Sequence, residues 1–132
     1  MSTKILDAHA VMAFLKDEPG ADTIRNLILK AEERNIKLAM TTVNLGEVWY
    51  AIARATTIEK ADRYIQEIRG MAIEIAYADW PLTRQAAAFK AGGNTSYADC
   101  FAAALAKIRQ AELVTGDLEL KALEAEIEIE WL

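Results

Sequence analysis

The stretch TKILDAHAVMAFL (Thr3–Leu15) decides how the chain is read. Thr3–Leu6 is a short strand candidate. An aspartate, Asp7, ends it, and Val11, Phe14 and Leu15 then recur at helical spacing. The same junction returns near the other end. In AELVTGDLEL, a strand over Ala111–Thr115 meets Gly116 and Asp117 before an amphipathic segment, read as a helix over Asp117–Glu126. Between them the pattern keeps alternating. Pro19–Gly20 breaks the first helix, and Ala21–Glu33 carries Ile24, Leu27, Ile28 and Ala31 on one face. Ile36–Met40 is the second strand, followed by a helix over Thr41–Ala55. Thr57–Gly70 is another helix and Ala72–Ala76 the third strand. Asp79 with a proline two residues on starts a helix that Gly92–Gly93 ends, and an alanine-rich helix follows. Ile127–Leu132 alternates as a terminal strand. Strands separated by helices imply βαβ units: one α/β domain over residues 1–132, a three-layer α/β/α sandwich on a five-stranded, mainly parallel sheet.

Composition narrows the function classes. At 53% hydrophobic residues, 132 residues can bury one sizeable core. The apolar runs are too short for a membrane span, and the N-terminus meets charge too early for a secretory signal, so a cytoplasmic protein is expected. Cys100 is the sole cysteine and sits in an apolar helix, where it reads as a small buried hydrophobe. His9 is the sole histidine, which leaves no Ser–His–Asp triad or His-rich zinc site; it reads as structural or as the edge of a site. A net charge of −5 gives no global support for nucleic-acid binding, which must rest on a local patch or on metal ions.

Four carboxylates stand at comparable junctions: Asp7, Glu47, Asp99 and Asp117. Each has an ordinary explanation. Asp7 and Asp117 can cap helices, NLGE (Asn44–Glu47) has capping-box spacing with asparagine as cap, and SYAD (Ser96–Asp99) has a similar form. A parallel sheet changes the reading. All strand carboxyl ends lie along one edge, where open α/β sheets bind ligands. Two unit charges about 4 Å apart repel by roughly 4 kcal/mol at an effective dielectric of 20. Helix N-termini return only about 0.3–1 kcal/mol each. Four converging carboxylates must therefore protonate in part or bind a hard cation, for which Mg²⁺ or Mn²⁺ suits better than zinc. Such a centre suits phosphodiester hydrolysis by a metal-activated water, with no protein nucleophile.

The set ILDAHAVMAFL, NLGEVWYAI, SYADCFAAALA and LVTGDLEL resembles the PIN-domain ribonucleases, in particular the VapC-type toxins of toxin–antitoxin systems. The resemblance runs in order along nearly the whole chain. It implies that Asp7, Glu47, Asp99 and Asp117 form an acidic quartet that binds Mg²⁺ or Mn²⁺, with Asp7 and Asp99 as main ligands. It implies that Thr115 orients a carboxylate or a metal-bound water, and that Asn44 and Ser96 support the early helical turns. Glu119 stands where some members carry an extra acidic group. The resemblance further implies RNA as substrate, a homodimer, and neutralisation by a small antitoxin protein. Arg54, Arg63, Arg69, Arg84, Lys90 and Lys107 are either local phosphate contacts or solvated helix faces. Trp49, Tyr50, Tyr64 and Trp80 belong either to the core or to a partner-binding face.

Two other readings stay open. One is a non-cleaving PIN-like scaffold that binds RNA or protein. The other is a phosphoryl-transfer fold with Asp7 as nucleophile, although DAHAV lacks the second aspartate two positions on that the dehalogenase-like phosphatases use.

Overall fold

A computed structural model describes residues 2–132. The strands are β1 (Thr3–Leu6), β2 (Lys37–Thr41), β3 (Ile73–Ala76), β4 (Glu112–Thr115) and β5 (Ile129–Trp131). The α-helices are α1 (Ala8–Leu15), α2 (Ala21–Glu32), α3 (Thr42–Ala55), α4 (Ile58–Arg69), α5 (Trp80–Ala91) and α6 (Tyr97–Arg109). The sheet runs β3-β2-β1-β4-β5, and every described pairing is parallel, so "mainly parallel" becomes wholly parallel.

Alternation along the strands builds two cores. Ile5, Ala39 and Leu113 face α5 and α6, whereas Leu6, Leu38, Met40 and Val114 face α1 to α4. Both faces of the central strands are covered, as parallel sheets require. Phe101–Ala106 in α6 is buried throughout, and its alanines let that helix lie close on the sheet. Thr57 and Asp79 cap α4 and α5 through their side-chain oxygens.

Two boundaries differ from the sequence reading. The segment after β4 is a 3-10 helix over Leu118–Leu123, not an α-helix to Glu126. Its buried residues, Leu120 and Leu123, are three apart, which matches three residues per turn. The last strand is only Ile129–Trp131, because Ile127 packs into the core before the pairing with β4 begins.

The strand order sets the site. From β1 the chain adds β2 and β3 on one side, then returns to add β4 and β5 on the other. The switch point therefore lies between β1 and β4, the crevice where α/β sheets place ligands. Asp7 leaves β1 there, and Asp117 follows β4 there.

Candidate metal centre at the carboxyl edge of the sheet

Asp7 is buried and caps α1, its Oδ1 accepting from the Ala10 N–H at 2.8 Å. Its Oδ2 accepts from the Thr115 hydroxyl. Thr115 Oγ1 in turn accepts from the Asp117 N–H at 2.9 Å. One hydroxyl thus ties the end of β1 to the turn after β4. Asp117 caps the 3-10 helix through the Glu119 N–H at 3.0 Å, so capping and site membership coincide.

A second buried hub is Asn44. Its Nδ2 donates to Glu47 Oε1 at 2.9 Å and to the Ala98 carbonyl at 3.1 Å, which ties α3 to α6. Both partners accept only, so they fix the amide orientation. The expectation that Asn44 caps its helix is corrected. Thr41 is the cap, accepting from the Asn44 N–H at 3.0 Å and donating to Asn44 Oδ1 at 2.6 Å. The helix starts one turn earlier than NLGE suggested, which turns Asn44 inward and frees it to hold Glu47. Thr41 was not singled out in the sequence, although a threonine closing an apolar strand three residues before an asparagine is a cap signal. Ser96 does cap α6, accepting from the Asp99 N–H at 3.3 Å.

Asp99, Asp117 and Glu119 each offer an oxygen within 4.8 Å of the others, the one such acidic or thiol/imidazole group among the described residues. Glu119 also accepts from the Ser96 N–H, which anchors it at the start of α6. Glu119 is itself exposed, but this bond holds it beside Asp99 and Asp117. Asp7 and Glu47 stand beside this trio, near enough to feel the charge of Asp117. Ligand oxygens on one octahedral Mg²⁺ lie up to about 4.2 Å apart, from bonds of about 2.1 Å. The trio's spread is close to that span, and its all-oxygen donor set fits a hard cation.

The electrostatics agree. Burial pushes the Asp7 carboxyl up to about 6, against the pull of Thr115, the Ala10 N–H and His9. Burial, together with the adjacent Asp117 and Asp7, pushes Asp99 up to about 8. Glu47 is also raised, first by burial. Raised carboxyls mark a place that wants positive charge.

His9 stands at the edge of the site. Its Nδ1 accepts from the Gly116 N–H at 3.3 Å. A Cβ on Gly116 would lie 2.5 Å from His9 Cε1, so glycine is required here for space. Gly116→Ala is expected to destabilise by about 1 kcal/mol, the low end for overpacking because the exposed imidazole can give way. His9→Ala in the same chain should remove most of that penalty. A double-mutant cycle by urea denaturation checks this.

The geometry is that of a known family. The PIN domain family matches residues 4–126. This chain belongs to the PIN domain family. No curated protein sequence matches it, but solved structures do. VapBC2 of Rickettsia felis, bound to a promoter DNA fragment, is similar with a TM-score of 0.76 at 19% identity over 98% of each chain. DNA-bound VapBC of Salmonella typhimurium gives 0.74 at 17% identity, again over 98% of each chain. VapC20 of Mycobacterium tuberculosis, described as a Sarcin-Ricin loop cleaving toxin, gives 0.69 at 14% identity over 90% of this chain and 93% of its own. At these identities the likeness establishes the PIN fold.

The other singled-out residues divide. Cys100 is buried and its thiol donates to the Thr95 carbonyl at 3.7 Å. Trp49 and Tyr64 pack against the core, while Tyr50 and Trp80 are exposed. Lys107 is engaged by Glu126 and Phe89, and Lys90 by the Thr95 carbonyl. No described helix is long and apolar enough to cross a membrane.

Proposed function

We propose that this PIN-domain protein is an Mg²⁺- or Mn²⁺-dependent endoribonuclease, the toxin of a toxin–antitoxin pair. The observation that carries the reading is the convergence of Asp7, Glu47, Asp99, Asp117 and Glu119 at the sheet switch point. The likeness to VapC20 and to VapBC complexes supports it. Asp99, Asp117 and Glu119 would hold the cation, with Asp7 and Glu47 beside them. A bound divalent ion supplies Lewis acidity and a water that deprotonates near neutral pH. Thr115 keeps Asp7 aimed and ionisable by donating a hydrogen bond to it. Asn44 does the same for Glu47. The cation would take the place that the carboxyls otherwise share with protons, and substrate phosphate would bind against it. A small antitoxin and a second copy of the chain are the proposed partners, a single domain the proposed organisation, and the cytoplasm the proposed site of action.

The scaffold alternative has less support, since a binding module has no need of five crowded carboxyls. An aspartyl-phosphate mechanism also fares worse, because both Asp7 oxygens already accept hydrogen bonds. Purified protein incubated with structured RNA, with and without Mn²⁺, tests the proposal. Endonucleolytic fragments are expected only with the cation. Intact RNA across varied substrates would favour the scaffold.

A further inference from the structure

We propose that the groove between α1 and α3 is a nucleotide subsite for single-stranded RNA flanking the phosphate that is cut. The inference rests on the nuclease reading and adds where the strand lies. The groove holds about 710 Å³, within the range of small-molecule sites, and Glu47 and Gly116 line the end that meets the acidic cluster.

One face of α3 organises it. Glu47, Tyr50, Ala51 and Arg54 are spaced i, i+3, i+4, i+7, so they follow one another along the helix from an acid to a cation, roughly 10 Å apart along the axis. Tyr50 is 46% exposed, and the Arg54 guanidinium lies 5.0 Å from its ring centroid. A tyrosine held by a stacked arginine is a platform for a nucleobase. Met12, Ala13 and Ala51 make the middle of the groove apolar, as a base requires. His9 lines the opposite wall. Because its Nδ1 accepts from Gly116, its proton sits on Nε2, a donor for a sugar or base oxygen.

Charge sets the direction. The cation-binding acids lie at one end, where the reacting phosphate belongs. Lys16 lines the groove, and Arg54, which does not itself line it, stands one turn beyond Tyr50 on α3 with its guanidinium over that ring; these two cations are assigned to the next phosphate. Glu18 lines the groove too and tempers the field. Glu18 and Glu47 outnumber Lys16 in the lining, so a polyanion would be held here by Arg54 beyond Tyr50, by base stacking and by the cation at the acidic cluster. The cations favour RNA over an apolar peptide as occupant.

The test is fluorescence anisotropy with a short labelled single-stranded RNA of mixed sequence, titrated at several salt concentrations, with Ca²⁺ in place of Mn²⁺ to slow cutting. Tyr50→Leu is expected to weaken binding by about 5- to 100-fold, the loss of one stacked base, while Tyr50→Phe binds like the parent. Arg54→Gln should lower the slope of log affinity against log salt by roughly 0.7, the single-strand value for one lost phosphate contact. Arg69→Gln, at the C-terminal end of α4 and the opposite edge of the sheet, should leave that slope unchanged. A merely structural Arg54 would not move it. A parent that cuts RNA with Mn²⁺ while Tyr50→Leu and Arg54→Gln bind and cut like it would overturn the subsite and leave the nuclease standing. Equal weakening for double-stranded RNA would also overturn it. A parent that neither binds nor cuts any RNA would bring down both readings.

Discussion

Asp99→Asn is expected to lower Mn²⁺-dependent RNA cleavage by at least about 10²–10³-fold, the scale for losing one preorganised electrostatic group, while making the metal-free protein more stable at pH 8. The two effects share one cause. Asp99 is buried at the start of α6, beside Asp117 and near Asp7. Its folded carboxyl titrates at about 8, well above the ordinary aspartate range. A carboxyl raised on folding contributes stability below its unfolded pKa and loses it as pH rises through the folded value. For Asp99 that window runs from about 4, the unfolded value, to about 8. Asparagine keeps the shape and an N–H for Asp117 but never ionises. The variant's advantage should therefore be small at pH 5 and grow up to pH 8 in EDTA, where it should melt higher by roughly 3–6 °C for each kcal/mol of repulsion relieved. Cleavage assays and thermal melts at both pH values check this. Retained cleavage would remove Asp99 from the metal centre, and a lower melting temperature at pH 8 would contradict the electrostatics. Expression without a partner extends the test to cells, where Asp99→Asn should relieve any growth arrest.

The second large effect is linkage between cation and proton. Mn²⁺ must displace protons from Asp7 and Asp99 at low pH, because their carboxyls are raised to about 6 and about 8. At pH 5 both groups hold protons, and the cation should barely shift the melting temperature. By pH 8 the parent has lost the stability that protonation supplied, and the cation should restore it. A ligand at about 100 times its Kd adds about 2.7 kcal/mol. The difference between melts with and without Mn²⁺ should therefore widen steadily from pH 5 to pH 8. A shift equal at both ends would mean that the cation binds elsewhere. Asp117→Asn should flatten the dependence, since it removes one of the trio and also the charge that adds to burial in raising Asp99, and to a smaller degree Asp7 and Glu47.

The fold was legible because its rules are local. Alternating residues in Ala72–Ala76, a proline after Asp79 and the glycine pair after α5 are read within a few residues of themselves. The acidic quartet was legible for a topological reason: parallel strands place every following turn at one edge. The finer features were not legible in this way. Glu119 was marked only by the resemblance, as the place of an extra acidic group, and its own neighbours read as a helix start, because its partner, the Ser96 N–H, lies before another element. Thr41 rather than Asn44 caps α3 because the helix follows the strand directly, with no loop between them, so the strand's last residue is the cap.

By itself the sequence determined the alternation of strands and helices and the carboxylates available to a cation. Period-2 and helical spacing, caps and charge are properties of neighbours along the chain. Only the tertiary structure decided that β1 and β4 lie side by side, so that one threonine hydroxyl joins Asp7 to Asp117. Only it decided that Asp99, Asp117 and Glu119 form the tight trio, and that His9 lies against Gly116. These contacts join residues up to 108 positions apart, and burial raises the carboxyls only once they are brought together.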